Sequence, residues 1–262
     1  LEEAEASYAQ AIALKPDYAE AHSNLGITLK ELGRLNEAEV SSRQAIALTP
    51  EYADPYFNLG NTLKELGRLN EAEASYRQVI ALKSDYAETY NNLGVTLKEL
   101  SRLDEAEASL RQAISLKLDY AEAHGNLGNT LKEMGRLDEA EASLRQAISL
   151  KPDYALAHCN LGNTLKEMGR LEEAEASLRE AIILKPDYAL AHCILGKVLY
   201  IKGFKDLALE RVKKANDIDP QSKDFGLLLS VIKSRKSCDE SGVAVGDASN
   251  TLALTGLTSS PL

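Results

Sequence analysis

The hydrophobic and small residues of this chain recur with a helical period, and the whole pattern recurs every 34 residues. Six consecutive units align without an insertion: 19–52, 53–86, 87–120, 121–154, 155–188 and 189–222. If places are numbered from the first residue of each unit, apolar or small residues fall at places 4, 7, 8 and 11, as in His22, Leu25, Gly26 and Leu29. This spacing puts them on one face of an α-helix. The first half of each unit is therefore predicted to be a helix.

Each unit also carries signals that end this first helix and start a second one. Place 15 is Gly in five units, which suits the left-handed backbone that closes a helix, and Ser101 is the exception. Asn36 at place 18 and Glu39 at place 21, with their equivalents, predict an N-cap and its capping glutamate. Proline at place 32, as in Pro50, predicts the end of the second helix.

A single Ala-rich helix pair buries too little apolar area to offset the entropy lost on ordering it, so neighbouring pairs must share a core. We therefore predict an all-α fold, an α-solenoid superhelix of antiparallel helix pairs. Residues 1–18 match the second half of a unit, which predicts the second helix of a truncated repeat; because Leu1 is not Met, we expect a fragment. Residues 223–235 predict a C-terminal capping helix, and residues 236–262 predict a flexible tail or linker.

Composition narrows the classes of partner. A formal net charge of -10 argues against nucleic acid, which requires clustered Lys and Arg. No apolar run approaches the roughly 18 residues of a membrane span, so we expect no membrane partner. Three scattered cysteines do not form a disulfide framework, which favours a reducing, cytoplasmic location.

The run Leu25-Gly26-x-x-Leu29, the alanines at places 20 and 27 and the proline at place 32 resemble the tetratricopeptide repeat family. The resemblance covers residues 1 to about 222, although the family's usual Trp at place 4 is His or Tyr here. It implies an array whose first helices line a concave groove that binds proteins or peptides. The family's clamp for chaperone C-termini needs basic residues at places 5 and 13, which this chain lacks, so chaperone-tail binding is not expected.

Asparagines stand on the side of each first helix opposite the apolar stripe, at places 6 and 9. They are Asn24, Asn58, Asn92, Asn126 and Asn160 at place 6, with Asn61, Asn129 and Asn163 at place 9. Asn is a poor helix former, and its carboxamide can hold both the N–H and the C=O of a peptide unit. The row resembles the asparagine ladder of the repeat domain of O-linked N-acetylglucosamine transferases, which implies binding of an extended peptide. Duplication of one ancestral unit would also repeat these residues, and both interpretations stay open.

Charge beside the row predicts the kind of peptide. Acidic residues such as Glu20 and Asp54 at place 2 and Glu31 at place 13 favour a neutral or basic peptide. Lys30 and its equivalents at place 12 weaken that preference.

Apolar residues replace acidic or amide residues toward the C-terminal end of this face. They are Leu156, Leu190, Ile194 and Ile201. We interpret them as an apolar contact patch. It could receive a further domain, a hydrophobic group of the ligand or the chain's own segment from Val243 to Leu257, and packing beneath the capping helix is the alternative.

No catalytic residue, metal site or cofactor is predicted. The pairs His158-Cys159 and His192-Cys193 lie one repeat apart, roughly 10 Å, whereas zinc ligands converge to about 2.0–2.3 Å from one ion. The glycines stand singly and form no phosphate-binding loop.

Three interpretations of function remain at this point. The first is a protein-interaction scaffold that binds an extended peptide. The second is the substrate-recruiting arm of a larger enzyme, because bacterial arrays of this kind resemble those fused to glycosyltransferase, sulfotransferase, methyltransferase or oxygenase-like domains. The third is a self-associating array, in which the half repeat at Leu1 exposes Ala4, Tyr8, Ala11 and Ile12.

Overall fold

A computed structural model describes the backbone of residues 1–241 and the side chains of residues 1–234. This part of the chain forms fourteen α-helices and no strand, which confirms the predicted all-α fold. The helices are α1 Glu2–Leu14, α2 Ala19–Glu31, α3 Leu35–Leu48, α4 Ala53–Glu65, α5 Leu69–Leu82, α6 Ala87–Glu99, α7 Leu103–Leu116, α8 Ala121–Glu133, α9 Leu137–Leu150, α10 Ala155–Glu167, α11 Leu171–Leu184, α12 Ala189–Ile201, α13 Lys205–Ile218 and α14 Lys223–Ser241.

The chain divides into two compact units, Leu1–Thr130 and Leu131–Leu262, here called unit 1 and unit 2. In unit 1 the pairs α2/α3, α4/α5 and α6/α7 pack internally, and α3 and α5 also pack on the first helix of the next pair. Unit 2 repeats this arrangement with the pairs α10/α11 and α12/α13. Within each unit, the helix pairs are therefore stacked in chain order, as a solenoid requires.

Helix α14 packs against α13 at the end of unit 2. Phe225, Leu228 and Ile232 are buried there in one cluster with Val212 and Ala215. The helix continues to Ser241, past the predicted end at residue 235. The rest of the predicted tail, residues 242–262, lies outside the described residues.

The two helices of each pair approach closely at the glycine of place 8. A Cβ atom on Gly94 of α6 would lie 2.6 Å from Leu110 Cγ of α7 and 3.2 Å from the Ala106 carbonyl oxygen. Alanine occupies the facing place 20 in every full unit, with an exposed fraction of 0%. These alanines are Ala38, Ala72, Ala106, Ala140, Ala174 and Ala208. Small residues on both helices therefore set the interhelical distance.

The turn inside each pair follows the prediction at place 15 but not at place 18. Gly33 has a φ of 75°, and Ser101 adopts the same left-handed region with a φ of 61°. The predicted N-cap at Asn36 is wrong, because α3 already begins at Leu35 and its N-cap position is Arg34. The Arg34 carbonyl accepts the first helical hydrogen bond from the Ala38 N–H at 3.0 Å, and Asn36 lies inside the first turn.

Proline is not what ends the second helix. The unit with Ser84 and the unit with Leu118 at place 32 end their second helices at Leu82 and Leu116, at the same place as the proline-containing units. Where place 4 of the next helix is histidine, its ring contacts this turn: His158 Nε2 lies 3.0 Å from the Pro152 carbonyl oxygen. Since a carbonyl only accepts, this contact requires the proton on Nε2.

Glutamates at place 21, predicted as capping residues, instead join neighbouring repeats through arginine. The Glu39 carboxylate accepts from Arg43 of its own helix at 2.9 Å and from Arg68 of the next unit at 2.6 Å. Its side chain is 14% exposed. The same arrangement recurs at Glu73 with Arg77 and Arg102, at Glu141 with Arg145 and Arg170, and at Glu175 with Arg179 and Lys202. Half-buried carboxylates with two cationic donors thus bind successive second helices together.

The close approach at place 8 predicts different effects for two equivalent substitutions. Gly94→Ala should lower the free energy of unfolding by about 1–3 kcal/mol, because the new methyl group overlaps Leu110 in a packed core. Gly26→Ala should be nearly neutral, since its Cβ would meet the Ser42 hydroxyl at 2.8 Å, and that hydroxyl has no hydrogen-bond partner and can rotate away. Urea unfolding followed by circular dichroism measures both, and equal midpoints would contradict the packing argument.

The ion pairs predict a pH-dependent effect of Glu141→Gln. Burial raises the pKa of Glu141, but hydrogen bonds from Arg145 and Arg170 outweigh it, and the net shift is downward. The native carboxylate therefore contributes stability above the ordinary glutamate pKa and loses it as the pH falls through the lowered value. We expect Glu141→Gln to cost about 1–2 kcal/mol at pH 7.

The difference between wild type and Glu141→Gln should shrink below about pH 4.3, where the unfolded carboxyl becomes protonated. Glu37→Gln is the matched control, because that side chain is 57% exposed and its ion pair is screened by solvent, so the substitution should change stability much less than Glu141→Gln does. A constant difference from pH 7 to pH 3 would show that the charge of Glu141 is not the cause.

Candidate functional site

The first helices of successive repeats lie side by side and present places 2, 6, 9 and 13, here called the asparagine face. In unit 1, α2 contacts α4 and α4 contacts α6, and in unit 2, α10 contacts α12. The predicted asparagines lie on these helices with different exposure. Asn24 is exposed; Asn58, Asn61, Asn92, Asn126, Asn129 and Asn160 are half-buried; and Asn163 is buried.

Side-chain amides on this face are hydrogen-bonded from one repeat to the next. Asn58 Nδ2 donates to Ser23 Oγ at 3.1 Å, and Asn126 Nδ2 donates to Asn91 Oδ1 at 2.8 Å. Asn92 Nδ2 donates to Asn61 Oδ1 at 3.0 Å. Each of these three place-6 amides thus uses one N–H inside the protein. Sequence reasoning missed the place-5 partners, although polar side chains at place 5 were a visible signal.

The backbone next to these asparagines is also satisfied. The buried hydroxyl of Thr62 donates to the Asn58 carbonyl oxygen at 2.9 Å, and Thr96 donates to that of Asn92 at 2.8 Å. The same bond is made at place 10 in the other units by Thr28, Thr130 and Thr164. The backbone carbonyls of the place-6 asparagines therefore have a second donor besides the helix.

An aromatic cluster supports the asparagine face in unit 1. The fully buried Tyr76 donates its hydroxyl to Asn61 Oδ1 at 2.7 Å, and burial raises its pKa. Phe57 stacks on Tyr86 with ring centroids 5.0 Å apart and an interplanar angle of 29°. Because Asn61 Oδ1 also accepts from Asn92, this carbonyl oxygen already has two donors, and Asn61 can offer a ligand only its N–H groups.

Unit 2 carries a positively charged part of the same face. Lys166 Nζ donates to Asn163 Oδ1 at 2.8 Å and has no carboxylate at ion-pair distance among the described side chains. Desolvation by burial is the main cause that lowers the pKa of Lys166 to about 8, with smaller contributions from the charges of Lys197 and Lys132 and an opposing one from Glu167. Lys197 is 3% exposed, and the Lys132 side chain is 11% exposed.

The predicted apolar patch is only partly exposed. Leu156, Leu190 and Ile201 are 40%, 39% and 55% exposed. Ile194 is 2% exposed, so its assignment to a contact patch is wrong. It packs in the core cluster of unit 2 with residues such as Cys159, because its apolar side chain at place 6 finds an apolar neighbour there.

The His-Cys pairs serve packing and turns. His192 Nε2 lies 3.0 Å from the Pro186 carbonyl oxygen, as His158 does from Pro152. Cys159 and Cys193 are buried, and desolvation raises the pKa of Cys159 to about 12. Among the residues that the structure describes, no group of three or more His, Cys, Asp and Glu side chains is placed to hold a metal ion.

Of the helices described up to Ser241, none has both the length and the hydrophobicity that a membrane-spanning helix needs.

Comparisons with known proteins identify the family. The family model described as TPR repeat matches residues 1–33, 28–67, 60–101, 128–169 and 162–203, and the model described as tetratricopeptide repeat matches residues 87–120. No curated protein sequence matches the chain.

Three solved structures illustrate the likeness in fold. Cut9–Hcn1, an APC/C hetero-tetramer, is 18% identical with a TM-score of 0.78; the alignment covers 88% of this chain and 46% of that one, so this chain spans about half its length. PilW, a type IV pilus biogenesis factor, is 22% identical with a TM-score of 0.73, and the alignment covers 80% of this chain and 98% of PilW. YrrB, a TPR protein with an unusual peptide-binding site, is 25% identical with a TM-score of 0.58, and the alignment covers 75% of this chain and 97% of YrrB.

The stacked helix pairs define a helical-repeat protein, a class that provides scaffolds for protein interaction. With the family models matching most of its length, the chain belongs to the tetratricopeptide repeat family.

The buried position of Lys166 predicts a stabilising substitution. Because the folded pKa is about 8 and the unfolded pKa is about 10.4, the unfolded chain binds more protons between these values. Stability contributed by this site therefore rises with pH across that window. At pH 7 the penalty for the buried charge is complete, so Lys166→Met should be more stable than wild type by about 1–3 kcal/mol.

The advantage of Lys166→Met should decrease as the pH rises from about 8 to about 10.4. Urea unfolding at several pH values measures this difference, and ¹⁵N NMR of the lysine side chains measures the pKa directly. An advantage that does not change with pH, or a Lys166 pKa near its usual range, would contradict the assignment.

Proposed function

We propose that the chain is a protein-interaction scaffold that binds an extended peptide segment along the asparagine face. The observation that carries this proposal is the row of carboxamides in unit 1, at Asn24, Asn58, Asn92 and Asn126. The last three are oriented by hydrogen bonds to the preceding repeat, which removes part of the entropy cost of ordering them on a ligand.

The spacing of the row suits an extended chain. Packed neighbouring helices lie roughly 8–10 Å apart, and an extended peptide advances about 3.3 Å per residue. One asparagine per repeat therefore meets the backbone at about every third peptide residue. A carboxamide offers both a donor and an acceptor, so it binds the peptide backbone with little dependence on side-chain identity.

Two further observations support the proposal. YrrB, which is 25% identical, is itself described as having a peptide-binding site. In unit 1 the exposed Glu20, Asp54 and Glu88 flank the row, and they favour a neutral or basic peptide there. We further propose that the chain acts by binding rather than by catalysis, without nucleic acid or membrane as partners, and in the cytoplasm.

The test is peptide binding by a variant with Asn58, Asn92 and Asn126 all changed to Ala. The probe is an array of short neutral and lysine-containing peptides, followed by fluorescence anisotropy with the peptides that bind. We expect affinity to fall by roughly tenfold or more, because each lost pair of backbone hydrogen bonds is worth about 1 kcal/mol or more.

The matched control changes Asn36 and Asn70 to Ala, which are exposed asparagines on second helices. The control should bind as wild type does. Circular dichroism must show equal helicity in all three proteins, since the triple variant also loses its bonds between repeats. Equal peptide affinity in the triple variant and the control would reduce the row to a relic of duplication.

A recruiting arm of a larger bacterial enzyme is the second candidate function. The exposed apolar side chains of Leu156, Leu190 and Ile201 favour it, because such side chains at one end of a repeat array suit a further contact. The sequence of the complete reading frame tests this candidate: a catalytic domain in the same frame would support it, and its absence would exclude it.

A further inference from the structure

Three exposed apolar side chains on the first helices of unit 2 form the apolar patch, which consists of Leu156, Leu190 and Ile201. Leu190 and Ile201 lie near the two ends of α12, and Leu156 lies near the beginning of the neighbouring helix α10. Place 2 is acidic in the units that begin at residues 19, 53, 87 and 121, and it is leucine only in the next two. The patch is therefore a property of unit 2 and not of the repeat in general.

Helix α14 continues the row of first helices beside this patch. It begins 34 residues after α12 begins, so it stands in the same phase of the repeat. Phe225 and Leu228 of α14 are buried in one cluster with Cys193 of α12. Helix α14 thus takes the position beside α12 that the first helix of a further repeat would take.

The direction of α14 follows from its contact with α13. A Cβ atom at Gly226, near the beginning of α14, would lie 3.6 Å from Asn216 Oδ1, near the end of α13, so these two helices are antiparallel. Helices α12 and α13 are antiparallel too, because a short turn joins them and they pack on each other. Hence α14 runs in the same direction as α12. It is the longer of the two, and it ends at Ser241, about 9 Å past the end of α12 at Ile201.

The segment that follows, residues 242–262, lies outside the described residues, and its sequence suits the patch. Its only charged side chain is that of Asp247, and Leu252, Leu254 and Leu257 stand close together among Ala, Thr and Gly. In an extended chain Leu252 and Leu254 point to the same side. An acidic place 2, as in unit 1, offers such a segment no apolar partner, whereas the leucines at place 2 of unit 2 do.

The segment is also long enough to reach the patch. The path from the end of α14 crosses to α12 over about 8–10 Å and then runs back about 16 Å from Ile201 to Leu190. The ten residues from Gly242 to Thr251 span about 33 Å when extended. Leu156 lies one helix further, roughly 8–10 Å away, and the next five or six residues cover that distance.

We infer that residues 242–262 fold back onto unit 2 and cover the apolar patch, with Leu252, Leu254 and Leu257 on Leu190 and Leu156. A tether of about ten residues gives an effective concentration in the millimolar range, so a contact that is weak between separate molecules is populated within one chain. A partner that binds at the patch must displace this segment. The inference goes beyond the proposed function, because it does not need the asparagines of unit 1.

The first test places a tryptophan in the patch of a chain that otherwise has none. Leu190→Trp is compared in the full chain with and without the changes Leu252→Ser, Leu254→Ser and Leu257→Ser, here called the leucine variant. Removal of these leucines should shift the emission to longer wavelength and increase quenching by acrylamide. The matched control changes Thr251, Thr255 and Thr258 to Ser and should leave both unchanged.

Two outcomes of the fluorescence test would overturn the inference. Emission that is the same with and without the three leucines would mean that they do not cover the patch. A difference that disappears on dilution would assign the contact to a second copy of the chain instead of to the chain's own segment.

The second test uses a labelled synthetic peptide of residues 249–259 as the probe, with fluorescence anisotropy as the measurement. The leucine variant should bind this peptide roughly tenfold more tightly than the wild-type chain, in which the chain's own segment competes. Equal affinity in the two proteins, or no binding to either, would contradict the inference.

A matched pair of substitutions locates the contact. In the leucine variant, Leu190→Glu should abolish binding of the peptide, whereas Leu207→Glu, at an exposed leucine of the second helix α13, should retain it. Glu88 and Glu105 occupy the equivalent places of another unit, so neither change conflicts with the repeat. Equal binding by both would show that the segment does not bind at the patch. A failure of the proposed function is seen separately, since it concerns variants of Asn58, Asn92 and Asn126.

Discussion

The close approach of two helices at the glycine of place 8 is the constraint on which each repeat depends. A Cβ atom at Gly94 or Gly162 would lie 2.6 or 2.5 Å from a leucine of the partner helix. Any other residue at this place would therefore force the two backbones farther apart. The facing alanines are fully buried for the same reason. Helices packed on such small side chains bury little apolar area within one pair, and each pair must therefore share its leucines with the next.

Polar contacts between repeats complete this shared packing. Four buried or half-buried glutamates of place 21 each accept from an arginine of their own helix and from a cation of the next unit, as Glu73 does from Arg77 and Arg102. The folded protein is destabilised if either donor is missing, because the charge of the carboxylate has already been removed from water. The pairs thereby favour one register between neighbouring second helices. The hydrogen bonds from Asn58 to Ser23 and from Asn126 to Asn91 likewise favour one register between neighbouring first helices.

The sequence was sufficient to predict the helices, because period and turn signals are local properties. Ser101, the exception among the glycines of place 15, nevertheless adopts the same left-handed turn, which shows that the repeat imposes the turn even where the residue does not favour it. The N-cap was misassigned because Asn36 is a good capping residue, whereas the N-cap position is Arg34, two residues earlier, where the side chain pairs with Glu37. Contacts that join different repeats, such as Asn126 with Asn91, depend on the rotation between neighbouring helices, which no local pattern contains. The burial of Ile194 escaped prediction for that reason too.

In a chain of nearly identical repeats, the positions that differ between units carry most of the information about a ligand. Residues common to most units, such as the threonines that five of the six units carry at place 10, satisfy requirements of the fold and would be present whatever the chain binds. Substitutions that occur once, such as Ile201 for Glu and Lys197 for Asn, change the charge of the face without changing the helix that carries it. Burying lysines near one another opposes folding, so this arrangement is a cost to the free protein that the remaining packing must offset.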